Sequence, residues 1–140
     1  MNKKLLTYFL LLFLAVAMPS CSNDNDEPES SVKDSIVGMW KAEYDEGTYT
    51  ILKLQNDGTY SLIEQELPGY DPYQEFGTYL IRKSSLYRNK YILTLINSDN
   101  NDPEALQIVS ISKNKLVLRY EGDFEGEYTE DEPHEFTRME

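Results

Sequence analysis

Side chains with chemistry of their own are few and unevenly placed. Among 140 residues, Cys21 is the only cysteine and His134 the only histidine, against 25 aspartates and glutamates. His134 has no spaced partners for a metal site, and a hydrolytic triad would need a positioned nucleophile that is not offered. Glycoside hydrolysis needs two carboxylates in one cleft, one of them with a raised proton affinity, and no spacing marks such a pair. Glu121, Asp123, Glu125, Glu127, Glu130, Asp131, Glu132 and Glu135 crowd one stretch. Their spacing fits no calcium loop, so the expectation is a solvated acidic hairpin. Asp99-Asn100-Asn101-Asp102 lacks the loop glycine, and Ser110 stands where the closing glutamate would be. It reads as a turn held by Asx side chains. The chain is therefore expected to bind rather than catalyse, with no cofactor and no metal.

Cys21 follows Lys3 and Lys4, an apolar run over residues 5–17, and Met18-Pro19-Ser20. The run is shorter than the about 20 apolar residues a membrane-spanning helix needs. It has the basic, apolar and small-residue order of an export signal. A lone cysteine at the end of that order points to a bacterial lipoprotein signal, residues 1–20, with Cys21 acylated as the first mature residue. The plainer alternative is an ordinary signal and a free thiol. With acylation, no thiol is left for nucleophilic or redox chemistry, and no disulfide is open to an exported chain of this kind. Stability then rests on a hydrophobic core. A single acyl chain holds only marginally and two or more hold stably, so palmitate-type acylation at Cys21 is the expected membrane link.

Removing residues 1–20 takes away two lysines and no acid, leaving 25 acidic against 11 basic residues, a net charge of −14. Such a chain repels nucleic-acid phosphates and anionic lipid, so nucleic acid is excluded as a partner. Residues 22–31 contain no large apolar side chain, and residues 21–32 read as a flexible acidic tether. The acidic run after the cysteine resembles the export signal of Bacteroidota lipoproteins. That implies an outer-membrane lipoprotein at the cell surface, or else at the periplasmic face.

The elements that must position any site are strands. Residues 33–140 have the length of one domain, with short apolar-alternating runs divided by turn residues at about 10-residue spacing. Strands are expected at 38–45, 48–56, 59–66, 75–83, 89–97, 105–112, 115–121 and 134–139. The Asp57-Gly58 pair supplies the positive φ of a tight hairpin. Pro68, Gly69 and Pro72 break the ladder into a loop. No amphipathic helix of useful length is visible; residues 32–37 have room for one helical turn. Eight antiparallel strands in chain order suit an all-β up-and-down barrel, which removes exposed sheet edges. Period-two alternation turns Thr50, Leu52, Leu54, Tyr60, Leu62, Tyr79, Ile81, Tyr91, Leu93, Leu95, Leu106, Ile108, Leu116, Leu118 and Phe136 to one face.

Gly38-Met39-Trp40, Asn56-Asp57-Gly58-Thr59-Tyr60, Gly77-Thr78-Tyr79, Leu116-Val117-Leu118 and Phe136-Thr137-Arg138 occur in the order and spacing of the small bacterial lipocalin-like domains. Over residues 36–140 the chain resembles that family. The resemblance implies a lipocalin-like, or calycin, barrel. It also implies a structural pair, Trp40 at the closed end stacked by Arg138, a cation over an indole face. The barrel is short for a lipocalin, so its interior is either filled or holds one small ligand. If it is open, Tyr60, Leu62, Tyr79, Tyr91, Leu93, Ile108, Leu118 and Phe136 are the candidate contacts for a small apolar ligand. If it is filled, they are plain core. In that case Tyr70, Tyr73 and Phe76, beside the proline loop, could grip a surface protein or a glycan instead.

Overall fold

A computed structural model describes residues 29–127 and 132–140. Cys21, the export signal and the first part of the tether lie outside the described residues. One short helix, α1 (Glu29–Ile36), precedes eight strands: β1 (Gly38–Glu43), β2 (Tyr49–Leu54), β3 (Thr59–Gln65), β4 (Tyr73–Lys83), β5 (Tyr91–Asn97), β6 (Pro103–Ile111), β7 (Lys115–Gly122) and β8 (His134–Arg138). Each strand pairs antiparallel with the next, and β8 returns to β1 through Trp40↔Arg138 and Lys41↔Thr137. The fold is all-β, an eight-stranded closed antiparallel up-and-down barrel.

The alternating apolar residues face inward throughout. Trp40, Leu52, Leu54, Tyr60, Tyr79, Leu93, Leu95, Leu116 and Leu118 are all buried in one core cluster, with Leu62 and Leu106 packed against it. Two strands begin earlier than their sequence suggests. Tyr73 and Gln74 extend β4 opposite Glu64 and Ile63. Pro103 opens β6 opposite Ile96, at a first-residue position where a missing N–H costs no ladder bond. The Asn97–Asp102 turn is held by Asx side chains, with Asn97 Oδ1 accepting from the Asp99 N–H at 2.7 Å and Asn100 Oδ1 from the Asp102 N–H at 2.9 Å.

Two elements differ from the sequence expectation. Residues 29–32, assigned to the tether, form the first turn of α1. Val32 and Ile36, one turn apart on the same helix face, are both buried in the core cluster. Two apolar residues in eight give a weak periodic signal, and the helix exists because the barrel end offers them a surface. The acidic stretch is the second difference. Glu121 is fully buried and the Glu125 side chain is only 4% exposed, so neither belongs to a solvated hairpin. Glu125 reaches back to the β4–β5 loop. It accepts bonds from Arg82 at 2.7 Å, from both Ser84 and Ser85 hydroxyls, and from the Ser85 and Leu86 N–H groups at 3.2 Å. Burial works to raise its pKa. The bonds from Ser84, Arg82, Ser85 and Leu86 outweigh that and hold the carboxyl down at about 2.

Candidate functional site

The two ends of the barrel are built differently. At the closed end Trp40 is completely buried and donates its Nε1–H to the Ile36 carbonyl at 2.7 Å, tying β1 to the end of α1. The Arg138 guanidinium lies 4.1 Å from the indole ring centre. Its nitrogens donate to the carbonyls of Ser35 (2.6 Å), Val37 (2.9 Å) and Lys113 (2.6 Å). One cation thus covers the ring and serves carbonyls at the helix C-terminus. Gly38 is required here. Its φ is +146°, and a Cβ at this position would lie 2.3 Å from Arg138 Nη1. The Gly-X-Trp tripeptide is therefore a steric unit with Arg138.

The other end is open. A cavity of about 570 Å³ lies in the barrel mouth. Its floor is apolar: Leu52, Leu62, Leu95, Leu106, Leu118 and Phe136, drawn from six strands. Thr50 and Glu64 stand above Leu52 and Leu62, and Glu104 above Leu106, two residues further along the same inward faces. Tyr44, Asp45, Glu66, Tyr120 and His134 are among the other lining residues, with the exposed His134 ring edge-on to Tyr44 at 5.5 Å. No lysine or arginine lines the cavity among the described residues.

The inward carboxylates are not in ordinary states. Burial pushes Glu104 up to about 7, and the charges of Glu75, Glu64 and Asp123 add to the rise. Burial likewise raises Glu64, helped by Glu66 and Glu75. Glu75 is fixed by two tyrosines: the Tyr60 hydroxyl donates to Oε1 and the Tyr73 hydroxyl to Oε2, the latter at 2.9 Å. Burial first, then that bond to Glu75, raises the Tyr60 pKa. Tyr60 reaches Glu75 by lying across Gly77. A Cβ there would be 2.7 Å from Tyr60 Cε1 and 2.0 Å from the Ile96 carbonyl oxygen.

Of the eight residues proposed from sequence as ligand contacts, Leu62, Leu118 and Phe136 line the cavity. Tyr60, Tyr79, Tyr91, Leu93 and Ile108 do not; they are buried below it. An eight-stranded barrel is just wide enough for its own side chains, so large residues fill the lower interior and space opens only near the rim. Sequence reasoning missed Glu64, Glu75 and Glu104. The signal was there: the alternations Tyr60-Leu62-Glu64, Glu75-Gly77-Tyr79 and Glu104-Leu106-Ile108 continue inward past the apolar residues. Tyr70, Tyr73 and Phe76 are 73%, 52% and 58% exposed. Comparison of the chain with protein-family models, curated proteins and solved structures finds no match.

Proposed function

We propose that this chain is a lipocalin-like lipoprotein of the bacterial outer membrane, held by acyl groups on Cys21, that binds a small apolar molecule non-covalently and without catalysis. The observation that carries the binding reading is the cavity of about 570 Å³ with a floor of five leucines and a phenylalanine. That volume lies within the range of small-molecule sites, and covering a solvent-accessible apolar floor favours an apolar occupant. The export reading rests on the basic, apolar and small-residue order before Cys21.

Native mass spectrometry of the protein purified from its own host tests the binding reading. A retained small molecule, lost when Leu62 and Leu118 are replaced by glutamine, is the expected result; a protein that never carries or takes up an apolar compound refutes it. Metabolic labelling with palmitate tests the anchor. Label that disappears in Cys21→Ser supports it, and a water-soluble protein with a free thiol removes it.

A second reading has its own observation. Tyr70, Tyr73 and Phe76 are exposed near one loop, as in surfaces that grip a protein or stack on a sugar. A pull-down lost in the Tyr70→Ser, Tyr73→Ser variant, with small-molecule binding intact, would favour this interaction module.

A further inference from the structure

We propose that the ligand of the barrel mouth is an amphipathic organic cation, with an alkyl or aryl body on the leucine floor and a protonated amine or guanidinium against Glu104 and Glu64. The inference rests on the reading of the mouth as a small-molecule site and adds the charge of the occupant.

The argument starts from what shares the cavity. Its floor is hydrocarbon, and its walls carry Asp45, Glu64, Glu66 and Glu104 with no lysine or arginine among the described lining residues. An anionic amphiphile such as a fatty acid would set its carboxylate among these four acids, and like charges in a partly desolvated space repel strongly. A neutral apolar ligand would strip water from Glu104 and Glu64 and return nothing, which is the costly way to bury a carboxylate. A cation on an apolar body satisfies both surfaces at once. A third carboxylate lies close to these two. Glu75, on the inward face beside the cavity, is held by the Tyr60 and Tyr73 hydroxyls, and its charge acts on Glu104 and Glu64. The protein thus keeps three glutamates turned inward from β3, β4 and β6, where apolar residues would fill the barrel.

Protonation enters through the same groups. Glu104 on β6 is faced by Glu64 from β3, Glu75 from β4 and Asp123 from the segment after β7. Asp45, Glu66, Tyr120 and His134 line the same cavity from the β1–β2 loop, the end of β3, β7 and β8. Near neutral pH Glu104 exchanges its proton, so a cation binds more tightly as pH rises and Glu104 ionises.

Decylamine, decanol and decanoate share one chain length and differ in head-group charge. Each is titrated into the purified full chain by calorimetry, below its micellar concentration, at pH 6 and pH 8. Decylamine is expected to bind at pH 8 at least tenfold more tightly than decanol, decanoate not measurably, and the decylamine affinity to fall several-fold at pH 6. Glu104→Gln should remove most of the decylamine advantage, by weakening decylamine and strengthening decanol, with Glu64→Gln acting in the same direction. Glu135→Gln, on an exposed carboxylate outside the cavity, controls for general attraction to an acidic protein and should change nothing. Equal binding of decanol and decylamine, preference for decanoate, or an equal effect of Glu135→Gln overturns the cationic ligand while leaving a small-molecule site in place. Binding by none of the three overturns both.

Discussion

The closed and open ends of this barrel treat charge in opposite ways. At the closed end Arg138 is matched to the groups that it meets: an indole face, two carbonyls at the end of α1 and one from the β6–β7 turn. At the open end Glu64 and Glu104 are turned inward with no lysine or arginine lining the cavity among the described residues, and burial raises the pKa of each. The first arrangement stabilises the fold. The second costs stability in the empty protein, and a site that stores such a cost is where a binding partner can return it. The Glu125 contact, outside the barrel, follows the closed-end pattern, since its carboxylate is surrounded by donors.

Substitutions at the two ends should therefore move stability in opposite directions. The largest effect belongs to Trp40→Ala, which empties a completely buried indole site and should cost about 3–5 kcal/mol in denaturant unfolding of the full chain. Glu104→Gln should do the reverse and stabilise the protein at pH 8, by no more than about 3 kcal/mol. The sign follows from the raised pKa. Below the ordinary value of 4.5 the carboxyl is neutral in both folded and unfolded chains and costs nothing. Between 4.5 and about 7 the unfolded chain ionises first, so wild-type stability falls as pH rises, and the full cost stands above about 7. The gain from Glu104→Gln should therefore vanish at pH 4, and a gain that persists there would break the contrast.

Glu125→Gln should cost about 2 kcal/mol at pH 7, because it weakens charge-assisted bonds to Arg82 and the 84–86 loop. Its pH course is the mirror image of Glu104. The lowered pKa contributes stability above 4.5 that is lost as pH falls toward about 2, so wild type and variant should converge in acid. Gly38→Ala is the smallest of the set, at about 1 kcal/mol or more, since the positive φ is strained for alanine and the Arg138 guanidinium must move aside. Combined with Arg138→Ala, the steric part of that cost should disappear in a double-mutant cycle.

Strand number, antiparallel order and the inward apolar face were legible from residue types alone, because side-chain alternation is a local property of extended chain and Gly, Pro and Asx residues mark where it stops. Errors of two residues at the starts of β4 and β6 were enough to hide the site. Glu104 fell just outside its expected strand, and Glu75 stood at the very start of its own. Glu64 lay within its strand, but a carboxylate at an inward position carries no apolar signal of its own.

From its sequence alone, this chain is an antiparallel barrel of strongly acidic character, for hydrophobic period and turn chemistry are carried by neighbours along the chain; the place of Trp40 at the base was implied only by the family resemblance. Only the tertiary structure decided which acids matter. Glu64, Glu75 and Glu104 are far apart in sequence and share one space because the sheet curls until β3, β4 and β6 face a common interior. Glu125 is buried, despite lying in the most acidic stretch, because the chain returns it to a loop rich in donors. Proton affinity depends on such distances and on solvent exclusion, and neither exists until the barrel closes.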